Sequence, residues 1–321
     1  MLRPARARAG TSVGGLQRLP LAPILVLLAL ALVWGANMAA IKIAGRGLSP
    51  LLMAGVRSTV AGLCLLVWMR IAAVRLFPDR GLFLHGLAVG LMFGVEFGAI
   101  YLGLEYTYAS RAYVFLYTQP FFTALGAHYL LRGDPMSRRK ALGLVLAFAG
   151  VTTLFVKDWG AVTLRTLPGD LLLLGAGALW AATTLYIKRF LAGRAVPLQT
   201  LFYQVAFSAP VLFLLSLVLE TDRWRGLTWP VGVALAYQCF IVAFLSYLVW
   251  FELIHRYPVS LLAGFTFFTP VLGVLVSGAL ILKEPLTAGV FVALALVSAG
   301  MVLVNRPSGR EPPAALEEPP P

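Results

Sequence analysis

Two charged side chains lie deep within apolar stretches of the chain, where a charge is most informative about chemistry. Arg57 lies about seven residues inside the stretch 50–70, and Glu96 about 15 residues inside 82–104. With about 1.5 Å of rise per helical residue, the two side chains would share one depth in a membrane. A charge at such a depth is costly and marks either a functional group or an ion pair. We therefore expect Arg57 and Glu96 to form a salt bridge that either packs two helices together or lines a cavity.

Aromatic and amide side chains recur at comparable depth. Trp34 and Asn37 are spaced to share one face of a helix, and Tyr117 and Gln119 lie beside a proline in another apolar stretch. Such groups suit an amphipathic small molecule, although each alone also suits simple helix packing. Gln204 and Ser246 stand at the positions that a repeat in the chain makes equivalent to Arg57 and Glu96. The candidate solute-binding residues are Trp34, Asn37, Arg57, Glu96, Tyr117, Gln119, Trp180, Gln204, Gln238 and Ser246.

Two prolines fall near the middle of apolar stretches. Pro120 and Pro270 each remove a helical hydrogen bond and free the carbonyl four residues earlier, those of Leu116 and Thr266. A plain kink is one interpretation. Because the two prolines are symmetrically placed, we also predict that they are hinges beside a cavity.

Other kinds of chemistry have no matching residues. The two cysteines, Cys64 and Cys239, lie in apolar stretches without metal-ligand spacing, and the three histidines are scattered. No nucleophile–base pair is apparent, so we expect no enzyme, no metal and no cofactor. No phosphate-binding loop of the G-x-x-x-x-G-K type occurs, so energy for any transport would come from an ion gradient or from the gradient of the solute itself.

The composition requires that these side chains be positioned by membrane helices. Sixty per cent of the residues are apolar and 12% are charged, whereas about 25% charged residues is usual for soluble domains. A bilayer core requires roughly 20 apolar residues per helix. The stretches that meet this length are 22–44, 50–70, 82–104, 108–131, 140–156, 169–190, 197–219, 230–253, 258–282 and 287–305.

The two halves of the chain repeat each other. Trp34 recurs as Trp180 at an offset of 146, and Pro120 recurs as Pro270 at an offset of 150. The second offset also relates Asp134-Pro135 to Glu284-Pro285 and Ala149-Gly150-Val151 to Ala299-Gly300-Met301. An odd number of spans per half makes the second half enter the membrane from the opposite side. We predict an all-α membrane protein of ten helices in two inverted five-helix repeats, an arrangement typical of transporters.

The distribution of the basic residues predicts the orientation. With a cytoplasmic N-terminus and ten crossings, eight of the 26 Lys and Arg residues lie outside and 17 lie inside, with Arg57 within a span. The outer ones are Lys42, Arg46, Arg111, Lys157, Arg165, Arg223, Arg225 and Lys283. This bias follows the positive-inside rule, so both termini are expected in the cytoplasm. The net charge of +13 is thereby explained without nucleic acid.

Several of these motifs resemble those of EamA-type transporters of the drug/metabolite transporter superfamily. The similar pieces are the Trp34 and Trp180 motifs, the fourth-span segment 108–122, its counterpart 258–271, and the acidic-Pro turns that follow. The resemblance covers residues 22–305. It implies a secondary transporter that moves a small metabolite, most simply exporting an amino acid or a derivative, across the cytoplasmic membrane by alternating access.

The resemblance and the repeat together predict the organisation of the chain. We expect a basic cytoplasmic tail over 1–21, repeats over 22–156 and 169–305, an external linker over 157–168, and a disordered cytoplasmic tail over 306–321. The expected location is the bacterial inner membrane. The expected partners are the solute and lipid, with protons as a candidate coupling ion and either a monomer or a homodimer. An importer of the same fold, or a scaffold or sensor that does not transport, are the alternatives.

Overall fold

The described part of the protein is helical throughout. In the computed structural model, residues 19–107, 109–155, 166–276 and 288–306 are described, and they contain no β-strand beyond two isolated bridges. The helices are α1 (Leu21–Ala44), α2 (Pro50–Ile71), α3 (Arg80–Tyr106), α4 (Ala109–Leu116), α5 (Gln119–Leu130), α6 (Arg138–Phe155), α7 (Leu167–Tyr186), α8 (Pro197–Leu219), α9 (Trp229–Ala236), α10 (Tyr247–Arg256), α11 (Val259–Phe265), α12 (Phe268–Gly273) and α13 (Ala288–Val304). Two π-helical segments, Ile187–Leu191 and Tyr237–Ser246, continue α7 and join α9 to α10.

Seven helical stretches of the described chain are long and apolar enough to cross a membrane. They are Leu21–Ala44, Pro50–Ile71, Arg80–Leu104, Leu167–Leu191, Pro197–Leu219, Trp229–Arg256 and Val259–Val276. Helices also occupy the other three predicted stretches, but α4 and α5 are interrupted, α6 opens with three basic residues, and α13 is short. The multi-pass membrane fold is therefore established, while ten crossings in two inverted repeats stay a prediction.

Two helix interruptions have the same form. The first separates α4 from α5 just before Pro120, and there the Thr118 hydroxyl donates to the Phe115 carbonyl over 2.6 Å. The second separates α11 from α12 just before Pro270, and there the Thr266 hydroxyl donates to the Ala263 carbonyl over 2.7 Å. Each threonine side chain satisfies a carbonyl next to the break. The breaks therefore lie where the two prolines predicted a distortion.

Small residues allow the central helices to approach closely. On α3, Gly86, Gly90, Gly94 and Gly98 share one face, and a Cβ on any of them would lie closer than 3.0 Å to an α8 side chain. Spacing of four residues places these glycines along one stripe. The α8 side chains that fill the stripe are Tyr203, Phe207, Val211 and Leu215. Small residues let membrane helices pack by direct backbone approach, so this stripe fixes how α3 lies on α8.

The contacts between the two halves are reciprocal. Helix α1 packs against α12, and α7 packs against α4 and α5, so the first helix of each half contacts the interrupted helix of the other. The last helices of the two halves, α6 and α13, also pack against each other. A Cβ at Gly143 of α6 would lie 2.5 Å from the Gly300 carbonyl oxygen of α13. Reciprocal contacts of this kind are those that a twofold relation between the halves would produce. The interrupted helices thus lie at the interface, beside α1 and α7.

Candidate functional site

A large cavity lies between the two halves. Its volume is about 600 Å³, which lies in the range of small-molecule sites, about 300–1,000 Å³. Its wall is formed by α1, α2, α3 and α4 from the first half and by α7, α8, α10 and α12 from the second. Tyr117 after α4, Val274 after α12, and Ile187 and Val242 of the two π-helical segments complete it. Both halves therefore contribute to this cavity.

Most of the candidate residues line this cavity. The predicted site residues that the structure brings together are Trp34, Asn37, Arg57, Glu96, Tyr117, Trp180, Gln204 and the predicted hinge residue Pro270. They come from six helices, α1, α2, α3, α7, α8 and α12, and from the break between α4 and α5, where Tyr117 lies. Convergence of polar and aromatic side chains from separate helices is the arrangement expected of a binding site.

Four candidate residues lie outside the cavity wall. Ser246 lies behind it, where its hydroxyl accepts a hydrogen bond of 2.9 Å from Trp34 Nε1. Gln238 is buried against α1 and α2, and Gln119 is fully buried and donates to Thr123. Pro120 is buried at the start of α5. Helical rise predicts depth, but it does not predict which way a side chain faces.

The predicted salt bridge between Arg57 and Glu96 is wrong. Each residue is only 3% exposed and both line the cavity. However, among the described residues no ion pair joins them, and Arg57 Nε, Arg57 Nη2 and Glu96 Oε2 make no hydrogen bond. The Arg57 guanidinium instead lies 4.7 Å from the centre of the Phe97 ring. Arg57 therefore makes a cation–π contact with Phe97, the residue that follows Glu96, and not the predicted salt bridge with Glu96 itself.

The hydrogen-bond donors of Arg57 form an unused pair. Nε and Nη2 are the two nitrogens of one edge of the guanidinium, and their N–H bonds point in parallel, the geometry that binds a carboxylate through two hydrogen bonds. Asn37 Oδ1 and Glu96 Oε2 are likewise buried without a hydrogen bond. More than nine in ten buried polar groups have a partner in native proteins. Three of the polar side chains that line the cavity therefore each carry at least one buried atom whose hydrogen-bonding capacity no described residue uses.

Aromatic rings form much of the remaining wall. Trp34 contacts Trp250 and Tyr247 edge-on, with ring centres 5.4 and 6.3 Å apart. Tyr117 and Trp180 are paired in the same way at 6.2 Å. Edge-to-face pairs hold rings in fixed orientations. The cavity thus offers rigid apolar surfaces beside its few charged groups.

Each interrupted helix contributes to the cavity wall on one side of its break. Its wall includes Ala112, Leu116 and Tyr117 on the α4 side of the first break, and Thr269, Pro270 and Val274 beyond the second. None of its lining residues belongs to α5 or α11. These two segments pack against each other. The cavity therefore extends along α4 and α12 and is closed off where α5 and α11 meet.

Comparison with known proteins is decisive for the family. The EamA-like transporter family model matches residues 21–156 and again residues 167–306. The chain is a member of the EamA-like transporter family. It is therefore a multi-pass membrane protein of a transporter family, and its two matched regions correspond to the two halves that form the cavity.

Individual relatives cover nearly the whole of this EamA-like transporter. It is 29% identical over 308 residues to the uncharacterized transporter YvbV of Bacillus subtilis, covering 94% of this chain and 97% of that protein. It is 30% identical over 282 residues to a probable amino-acid metabolite efflux pump of Salmonella typhimurium, covering 84% and 90%. A solved crystal structure with 18% sequence identity has a TM-score of 0.76 and covers 88% of this chain and 96% of its own, which supports the fold alone.

Sequence reasoning missed several polar or aromatic residues of the cavity wall in this EamA-like transporter. Among them are Lys42, Tyr101, Tyr247 and Trp250. Tyr247 and Trp250 are spaced three residues apart, as Trp34 and Asn37 are, and this spacing could have revealed them. Lys42 was counted among the outer basic residues at the end of the predicted stretch 22–44, and it lies in the last turn of α1.

Proposed function

We propose that this EamA-like transporter is a secondary transporter that exports an amino acid or a derivative by alternating access. The observation that carries the proposal is the free edge of Arg57, buried in a cavity of a size that suits a small metabolite. A guanidinium edge with two parallel donors selects a carboxylate by geometry as well as by charge. The solute's carboxylate would bind there.

The other parts of the wall suit the rest of such a molecule. Glu96 is the single acidic residue among the described residues that line the cavity, and its free oxygen can accept from an ammonium group. The rings of Trp34 and Trp180 offer apolar surface and can also hold a cation over their faces. A solute with a carboxylate, an amino group and an apolar part would use all three features.

The architecture that we propose for transport has ten spans in two inverted halves. The reciprocal contacts of α1 with α12 and of α7 with α4 support a twofold relation, and the odd number of spans per half supports the inversion. The positive-inside distribution supports cytoplasmic termini in the bacterial inner membrane. In this orientation the closed side, where α5 meets α11, faces the cytoplasm and the α4 side faces outward.

The names of two relatives agree with this direction of transport. Two relatives, from Salmonella typhimurium and Escherichia coli, are named probable amino-acid metabolite efflux pumps. We therefore propose export and not import. Alternating access would open the cavity to each side in turn, with the interrupted helices as the moving parts.

The test is metabolite profiling of the growth medium. Cells that overexpress the protein, cells that lack it, and cells with the Arg57→Met variant are compared. The proposal expects one or more amino-acid-type metabolites to accumulate outside only with the unaltered protein. An uptake defect in the deletion strain without any extracellular change would support import instead. The same extracellular metabolite concentrations for all three strains would refute the proposal.

A further inference from the structure

A buried ionic cluster lies at the closed end of the cavity, away from the proposed solute site. Lys140 Nζ lies 2.8 Å from Asp134 Oδ1, 2.8 Å from the Pro135 carbonyl oxygen and 2.9 Å from Ser260 Oγ. The Ser260 backbone N–H donates to Asp134 Oδ2 over 3.0 Å, and its hydroxyl donates to Oδ1. Asp134 is 4% exposed, Lys140 9% and Ser260 0%. The three side chains satisfy one another in a site closed to solvent.

The cluster joins the two halves of the protein. Asp134 follows α5 and Lys140 lies in the first turn of α6, both in the first half, whereas Ser260 is the second residue of α11 in the second half. The cluster therefore ties together the far ends of α5 and α11. These are the segments that lie beyond the two helix interruptions and close the cavity.

A buried ion pair at this place is informative because it adds little to stability. Replacing such a pair by apolar side chains is often neutral or stabilising, since desolvation offsets the attraction. The best-attested use of buried charges is to fix a register or a switch. Here the ion pair lies within one half, so separating the halves leaves Lys140 and Asp134 paired. Opening breaks only the hydrogen bonds to Ser260 and hydrates the charges.

We propose that Asp134, Lys140 and Ser260 form a latch that holds the cytoplasmic end of the cavity closed until α5 swings away from α11. This inference rests on the proposed alternating access. The interruptions before Pro120 and Pro270 are the hinges for the swing. Closure requires Ser260 to bind the ion pair, and opening requires their separation.

The repeat makes the latch one-sided. The offset of 150 relates Asp134 to Glu284 and Ser260 to Ser110, but it relates Lys140 to Val290, which has no charge. The side chains of Ser110 and Glu284 lie outside the described residues, so this comparison is of sequence alone. Because the repeat does not carry Lys140 over to the outer end, we place the latch at the cytoplasmic end and expect the transporter to rest with that end closed and its outer end open.

Two alanines on either side of the first interruption are suitable reporters. Ala112 of α4 lines the cavity and Ala124 of α5 is fully buried on the closed side. Each is changed to cysteine, one at a time, in a background with Cys64→Ala and Cys239→Ala. A membrane-impermeant maleimide is applied to right-side-out and inside-out vesicles. In the protein with an intact latch, Ala112→Cys should react from outside and Ala124→Cys should be protected on both sides.

The Lys140→Met variant then tests the latch. It leaves Asp134 as an uncompensated buried carboxylate, so the state in which water reaches Asp134 is favoured. Labelling of Ala124→Cys from the cytoplasmic side should rise at least about tenfold, while labelling of Ala112→Cys falls. The double variant Asp134→Asn with Lys140→Met removes both charges and should restore protection. Arg138→Met, an exposed basic position two residues earlier, is the matched control and should change neither rate.

Other outcomes would overturn the proposal. Unchanged protection of Ala124→Cys would mean that the cluster does not hold this end closed, and a parallel rise at both reporters would mean that it holds the fold together. Labelling requires no solute, and export is measured separately by profiling of the medium. Failure of the latch and failure of the proposed transport are therefore distinguishable.

Discussion

The free edge of Arg57 allows a quantitative prediction about solute recognition. In the Arg57→Met variant the side chain keeps an unbranched apolar stem but loses the guanidinium and with it both donors. A hydrogen bond to a charged group contributes about 1.5–3 kcal/mol, which corresponds to about a 10- to 150-fold rise in Kd. We expect a loss in this range rather than unfolding, because no carboxylate is hydrogen-bonded to Nε or Nη2.

The assay measures binding of the exported metabolite to purified protein, and of the same compound with its carboxylate converted to an amide. On the unaltered protein, the amide should bind about 10- to 150-fold more weakly than the acid. On Arg57→Met, acid and amide should bind equally weakly. Arg57→Lys keeps the charge but not the two-donor edge, and it should fall between them.

The matched control is Gln204→Met. Gln204 lines the same cavity at the position that the repeat makes equivalent to Arg57, but it is neutral. Its replacement should leave the preference for acid over amide intact. If Arg57→Met retained that preference, or if Gln204→Met abolished it, the assignment of the carboxylate to Arg57 would be wrong.

Three further predictions concern coupling, packing and the cavity wall. The Glu96→Gln variant should fold normally but lose the dependence of transport on external pH, because an amide cannot exchange a proton; unchanged pH dependence would exclude Glu96 from coupling. Gly90→Ala should lower stability by about 1–3 kcal/mol in thermal melts, because the new Cβ would overlap α8, whereas Gly175→Ala, where a Cβ meets open space, should not. Trp34→Phe and Ser246→Ala both remove the hydrogen bond between these residues, and Ser246→Ala also removes the one to the Val242 carbonyl; losses of stability that are fully additive in the double variant would contradict the pairing.

The repeat in the sequence predicted more of the site than any single residue did. Trp34 and Trp180 were found by their offset, and both line the cavity. The helix interruptions lie where the prolines predicted a distortion, since proline cannot donate the helical hydrogen bond. These predictions depend on the local chemistry of proline or on the depth of a residue within its span. The sequence alone gives both.

The failures concern the direction in which side chains face. Gln119 and Gln238 were selected for depth, and both point away from the cavity. Gln238 is in a π-helical segment, where the wider turn changes the rotation per residue from that of an α-helix. The expected partner of Arg57 was also wrong, because a neighbouring ring, Phe97, competes with a carboxylate in a way that no spacing rule records.

The most direct test of the account is transport by the purified protein in liposomes. The vesicles are loaded with the metabolite that profiling identifies, and its release is followed over time. The account predicts saturable release by the unaltered protein and a large loss of rate in Arg57→Met at subsaturating solute, with no such loss in Arg138→Met, an exposed position outside the cavity wall. Release no faster than from protein-free liposomes, or equal release by Arg57→Met and the unaltered protein, would contradict it.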